Sequence, residues 1–419
     1  MFTLVGNIDS DPRLEILATG LARGPLHAWH YNGTRVTGWP RTPSSAAGAA
    51  FPSLGKLGQL PWKVFAAFVG CADPECSKGV LIGYDGSGIK LPGWPKQTAN
   101  YVGSPASLEH VAGTDLDEIF VEEEDWKLHG YDALGVPLPG WPIWGSGGQV
   151  RHTPAIGDLD GDGDFEIVTA SGWTTGGFTL FAYHHTGAKV AGFPIRITAN
   201  NGDTWPVIGD VDRDGKNEVV VIVQLRDERI RIYSGSGVLE RTIVLTGNID
   251  WGTAPALADL NGDGILEIIV QGGGWLDAYS GNGQHVPGWP VVWSKTHWLG
   301  NSAPVVGDVD GDLKPDIVVT TLEGGQSEIG ELRAYSAAGK LLPHFPKVLP
   351  IGFGGVPAIA DIDLDGRNEI VICGDYWSGV ENNFAKCWAY DLHKAATGKP
   401  LWGQFGGDAA HSGRYPVPR

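Results

Sequence analysis

Apolar and polar residues alternate in short bursts along the whole chain, and nowhere do the apolar positions recur with the spacing of an amphipathic helix. In unit after unit an apolar triplet such as AIG (155–157), VIG (207–209) or ALA (256–258) leads into a polar stretch, and a β-branched run follows: EIVTA from Glu166, EVVVIV from Glu218, DIVVTT from Asp316. Runs of that length and branching predict two antiparallel strands joined by the polar loop. A third strand is marked by an aromatic four residues before a turn glycine, at Trp29, Tyr84, Tyr131, Tyr183, Tyr233, Tyr279 and Tyr335, with Tyr390 before a longer turn. Segments such as LPGWP then open a fourth strand, with Trp39, Trp94, Trp141, Phe193, Trp289 and Phe345 at the aromatic position.

The units start near residues 3, 52, 105, 154, 206, 255, 304 and 357, a pitch of roughly 50 residues. Four strands per unit without a helix predict one blade of a β-propeller. The expectation is therefore all-β, an eight-bladed propeller of four-stranded antiparallel blades, with residues 1–419 forming a single domain. The competing count is seven blades plus an appendage, against which the even pitch argues. The last unit is expected to own a fourth strand near Leu401 to Phe405, which leaves ring closure to contacts between the first and eighth blades.

The polar loop carries the chemistry. Counted from Asn7, Lys56, Glu109, Asp158, Asp210, Asp259, Asp308 and Asp361, six of the eight nine-residue loops place oxygen-bearing side chains at positions 1, 3, 5 and 9. They are Asn7, Asp9, Asp11 and Glu15; Asp158, Asp160, Asp162 and Glu166; Asp210, Asp212, Asp214 and Glu218; Asp259, Asn261, Asp263 and Glu267; Asp308, Asp310, Asp312 and Asp316; and Asp361, Asp363, Asp365 and Glu369. Alternate residues converge on one point only if the backbone curls, and glycine at position 6, as in Gly163, Gly215, Gly264 and Gly366, permits the turn. Hard oxygen ligands with no His or Cys nearby favour Ca²⁺ over zinc or copper, and about five or six ions are expected. Asp, Asn and Gly also build ordinary turns, but six copies in register, each crowding carboxylates that repel without a cation, outweigh that reading. Asn7 with Pro12, and Leu313, depart from the pattern; at Lys56 and Glu109 it is lost, and no metal is expected.

These DxDxDGxxE loops between first and second strands resemble the FG-GAP or VCBS repeats, whose best-known examples form the integrin α-chain propeller. The resemblance spans almost the whole chain through its pitch. It implies calcium held by the loop residues above together with a main-chain carbonyl at position 7, which is Asp164, Lys216, Ile265, Lys314 or Arg367 in the five best copies. The literal Phe-Gly and Gly-Ala-Pro elements are missing, and there is no RGD-type element or inserted ligand-binding domain, so integrin partnership is not implied.

Composition adds less. The net charge of -18 sits largely in the loops, and the twelve positive charges of six calcium ions would leave about -6, so the acidity reads as ligand chemistry. Nucleic acid remains a disfavoured partner. The four cysteines fall into two local pairs, Cys71 with Cys76 and Cys373 with Cys387, each placed to clasp a hairpin as a disulfide. With loops suited to millimolar calcium, this points outside the cytosol. No secretory signal or transmembrane run is present, and the chain reads as a monomer or as part of a larger secreted protein.

Strand direction puts the metal loops on one face of the ring and the more variable loops on the other. Those variable loops carry Trp126, Trp173, Trp205, Trp251, Trp275, Trp298 and Trp377 beside His152, His297, Arg151, Arg226 and several Asn and Asp residues. Aromatic faces rimmed by planar hydrogen bonders suit sugar rings, and lectin-like glycan recognition on that face is the first expectation. Two alternatives stand beside it. One is a polysaccharide lyase in which Arg151, His152, Arg226, Lys295 and His297 meet at the channel mouth; the other is an adhesion or scaffold propeller that binds an extracellular protein. No standard hydrolase, zinc-protease or nucleotide motif is present, and no catalytic residue is assigned. Aromatics of either kind also pack channels and blade interfaces, the expected role of the GWP positions.

Overall fold

The computed structural model describes residues 3–19, 25–42, 50–57, 61–68, 79–98, 102, 104–111, 116–123, 125–144, 152–174, 176–199, 204–224, 228–249, 253–293, 303–322, 330–349, 355–376, 384–391, 400–408 and 411–414. It is all-β, a ring of eight antiparallel blades, with no helix among the described residues. The inner strands are Leu4–Gly6, Ala50–Gly55, Ser107–Glu109, Ala155–Gly157, Val207–Gly209, Ala256–Ala258, Val305–Gly307 and Ala358–Ala360. Each lies beside the inner strand of the next blade, and the first lies beside the eighth, so the ring is closed.

Burial falls from axis to rim. The inner strands Leu4–Gly6, Ala155–Gly157 and Val207–Gly209 and the second strand Glu218–Val223 are buried throughout, whereas the outer strand Leu239–Val244 is mostly exposed. The second strand is sandwiched on both faces by neighbouring blades, which is why its sequence runs continuously apolar instead of alternating. The cores are shared between blades: Val168 and Ala182 of the fourth pack with Val219 and Tyr233 of the fifth. Val5 and Ile16 of the first pack with Ile362 and Val371 of the eighth. The amide of Thr3 donates to Val356 O, and the Thr3 hydroxyl accepts from the Cys373 amide. Closure thus rests on contacts between the first and eighth blades.

The LPGWP segments form turns, and the fourth strand starts just after them as two or three residues, such as Lys96–Gln97 and Ile195–Ile197. Their tryptophans clamp blade to blade: the Nε1 groups of Trp39, Trp94, Trp141 and Trp289 donate to Gly86 O, Ala133 O, His185 O and Ala337 O of the following blade. Among the described residues of blade one, the fourth strand is a bridge between Leu26 and Arg41.

Residues 401–405 do not form a fourth strand on the eighth blade. Residues 400–408 and 411–414 lie along the axis instead. Val306 N donates to Trp402 O, Ile359 N to Gly403 O, Ile156 N to Ser412 O and Ile208 N to Gly413 O. Val5 exchanges two hydrogen bonds with the Gln404 side chain, Ser107 Oγ donates to His411 O, and His411 Nε2 lies 2.9 Å from Pro52 O. Trp402 shares one apolar cluster with Ala256, Leu257 and Ala258 of blade six. A segment that touches the inner strand of every blade can lie only at the centre. The physical reason is hydrogen bonding: inner-strand amides that face the channel need acceptors, and the tail brings them.

Candidate metal centres

Each metal loop is a chain of aspartate-capped turns. In the fourth blade Asp158 accepts from the amides of Gly161 and Gly163, Asp162 Oδ1 from Asp164 N, and Glu166 Oε2 from Leu159 N. The last bond, from the position-2 amide to the position-9 carboxylate, recurs at Ile8–Glu15, Val211–Glu218, Leu260–Glu267, Val309–Asp316 and Ile362–Glu369, at 2.7–3.0 Å. It also appears between Val111 and Glu118. The third loop therefore begins at His110, one residue later than the spacing suggests, and retains its position-9 glutamate. Position 3 there is Ala112, and Gly55 pairs with Lys63 in the second blade, whose loop is one residue shorter.

Both positions 4 and 6 require a left-handed backbone. Gly161 and Gly163, Gly262 and Gly264 supply it at no steric cost, while Arg213, Leu313 and Leu364 adopt φ of 62–64° despite their side chains. The first loop curls otherwise: Pro12 cannot adopt positive φ, and Asn7 Nδ2 donates to Asp11 O.

The carboxylates converge. One oxygen each from Asp158, Asp160 and Asp162, and from Asp210, Asp212 and Glu218, lie within 4.8 Å of one another. Burial pushes the position-9 carboxyls up, to about 8 for Glu218 and about 7 for Glu267, Asp316 and Glu369, and upward for Glu15 and Glu166. The position-2 amide opposes the rise and the loop's own carboxylates add to it. A cation would offset both costs. The donor set fits one, for Asn7 Oδ1 and Asp210 Oδ1 are buried without a hydrogen-bond partner, and a position-1 oxygen is the ligand such a loop needs. These groups could hold metal ions.

The reading that no histidine is near holds along the sequence but fails in space. His30 Nδ1 is 3.2 Å from Glu15 Oε1 and His184 Nδ1 is 3.1 Å from Glu166 Oε1. The residue after the third-strand aromatic pairs with position 9, a register that would have revealed both contacts. A histidine that holds the second oxygen of a ligand carboxylate orients it.

The FG-GAP-like repeat pattern matches residues 158–221 and 210–270, loops and strands together. The chain carries FG-GAP-like repeats. No curated protein matches it in sequence. Among solved structures it is similar to the V. cholerae biofilm matrix protein Bap1, at 12% identity and a TM-score of 0.66, covering 99% of this chain and 92% of that one. It is also similar to a europium-containing methanol dehydrogenase (12%, TM-score 0.57, 86% and 81%) and to the Dos1 propeller (10%, TM-score 0.57, 95% and 94%). At such identities the likeness is one of fold.

On the face opposite the FG-GAP loops the predicted aromatics separate. His152 is buried, with Nδ1 2.9 Å from Ala170 O and Nε2 accepting from Thr204 N, and its ring meets Trp205 edge-on. Trp205 in turn packs on Phe405 of the axial segment. Trp275 is buried and donates to Asn248 O. His152 and Trp275 fill the interior, and Trp205 is half-buried. Trp126 is 47% exposed in the turn between second and third strands of blade three, and Trp144, which sequence reasoning passed over, is 66% exposed at the end of the fourth strand. Lys127 stands opposite Trp144 with Nζ 4.8 Å over its ring, and beside it Glu123, Asp125 and His129 bring ligand atoms within 4.8 Å. Trp173 lies in the strand Glu166–Thr174, its side chain outside the described set. Trp251, Trp298, Trp377, His297, Arg151, Arg226 and Lys295 lie outside the described residues. So do Cys71 and Cys76, whereas Cys373 and Cys387 are directly opposed on adjacent strands and disulfide-bonded. No helix among the described residues is long and apolar enough to cross a membrane.

Proposed function

We propose that this protein is a secreted, calcium-stapled propeller that recognises glycans through the face opposite its FG-GAP loops. The observation that carries the reading is the two exposed indoles of blade three, Trp126 and Trp144, the second with the Lys127 ammonium over its ring and that ammonium 3.3 Å from Asp125 Oδ2. An indole exposed at the surface leaves ring area free for a ligand, and a sugar offers it an apolar C–H face while its hydroxyls reach Lys127 and Asp125. The all-oxygen loops favour calcium, and a cross-strand disulfide suits an oxidising compartment. The test is a glycan array with the calcium-loaded protein, the chelated protein and Trp126→Ala/Trp144→Ala. We expect a restricted set of glycans to bind and the double variant to lose them with its melting curve unchanged. Absence of binding under every condition, or equal binding by the double variant, would refute the reading.

A further inference from the structure

The two blades whose loops abandoned the metal pattern, the second and third, share a cavity. It opens at the metal-loop end of the axis, between blades one, two, three and eight, and encloses about 470 Å³. Its apolar walls come from Leu54, Leu108 and Ile359, and the axial segment closes its floor at Gly403 and Gln404. Where a metal loop would put carboxylates around an ion, these loops put Lys56, Trp62 and Asp117.

We propose that this cavity binds one neutral saccharide unit, with Trp62 as its platform and Lys56 and Asp117 as its polar contacts. The volume lies in the range of small-molecule sites. Trp62 packs closely against Gly6, where a Cβ would meet the indole at 3.1 Å, and it presents its ring to Lys56, whose Nζ stands 5.5 Å over it. The Trp62 Nε1 donor is buried and has no hydrogen-bond partner, an unmet need that a ligand hydroxyl can satisfy.

Charge argues for a neutral ligand. Glu109 is already neutralised by Arg414 Nη2 at 2.6 Å, and Asp408 is bonded by the amide and hydroxyl of Ser412. That leaves the Lys56 ammonium and Asp117, whose Oδ2 also accepts from the Lys56 amide, as one cation and one carboxylate of opposite preference, which a simple anion or cation would not satisfy together. A polyhydroxylated ring accepts from one and donates to the other while its apolar face covers the indole. The site is distinct from the Trp126 and Trp144 face, and the two can fail independently.

The test uses the full chain and the methyl glycosides of glucose, galactose, mannose and N-acetylglucosamine, with glucuronate and glucosamine as charged comparators, read by saturation-transfer NMR and calorimetry. At least one neutral glycoside should bind. Trp62→Ala should weaken it by about ten-fold or more, and Trp126→Ala/Trp144→Ala should leave it unchanged. Lys56 is exposed, so Lys56→Ala preserves the fold and should weaken binding even if Trp62→Ala does not fold. The proposal is overturned if no neutral glycoside binds at tens of millimolar, if a charged comparator binds better, or if affinity follows Trp126 and Trp144 instead of Lys56 and Trp62. In that last case glycan recognition survives and the cavity does not.

Discussion

Replacing Trp402 by alanine should destabilise the ring as a whole, although the residue belongs to no blade. Its side chain is fully buried at the axis and lies in the same apolar cluster as Ala256, Leu257 and Val306 of two blades. Truncating a buried tryptophan costs about 3–5 kcal/mol, because the inner strands are held by their own blades and cannot collapse into the space. Unfolding entropy of roughly 2.1 cal/mol/K per residue, over 419 residues, gives about 0.9 kcal/mol/K, so the melting point should fall by about 3–6 °C. The matched control is Trp144→Ala, which removes the same indole from a 66% exposed site and should move the transition by less than about 1 °C. Calcium-saturated protein would be melted by differential scanning calorimetry, with urea titration as a second measure. Equal transitions for the two variants would mean that the axial segment adds nothing to ring stability, and the argument for its role would fall.

Other outcomes follow from the loops and the hairpin. The position-9 carboxyls are raised in the folded, cation-free state, Glu218 to about 8. Below about pH 4.5 both folded and unfolded chains hold these protons, whereas between there and about 8 the unfolded chain releases them first. Chelated protein should therefore lose stability as pH rises through that window, and calcium should abolish the slope; urea midpoints at pH 5 and pH 8, with and without calcium, check this. Leu313→Gly should stabilise by about 1 kcal/mol, since a 70% exposed leucine at φ 64° carries left-handed strain and buries little; a lower urea midpoint would contradict it. Reducing the Cys373–Cys387 bond, which closes a separation of 14 residues, should cost about 3 kcal/mol. Asn217→Ala should cost about 1 kcal/mol, because its Nδ2 donates to Asp158 O of the preceding blade's loop and ties the two loops together.

Much of this protein is local, and local features were readable. Strand identity, blade pitch and the loop oxygens depend on residues within about ten positions of one another, so periodicity and turn chemistry place them without reference to anything distant. The GWP tryptophans could be assigned to packing because recurrence at one position of every unit implies an environment that recurs with it. The misreadings share one cause. His30 and His184 meet Glu15 and Glu166 across a strand pair, the third loop's frame shows in the Val111–Glu118 bond and the Glu109–Glu118 register, and Trp144, in a two-residue strand, carries no local mark of exposure.

The chain's own pattern determined the unit: four short strands, an acidic nine-residue turn, eight copies and hence a ring. Tertiary structure alone decided what lies at the centre. The stretch GGDAAHSGRY has no apolar periodicity, and the place of residues 406–408 and 411–414 on the axis comes from inner-strand amides of separate blades that need acceptors where no strand can pair with them. Ring closure creates that need, and with it the buried positions of His411 and Trp402. It also brings the two loops that lost their metal ligands together around one cavity.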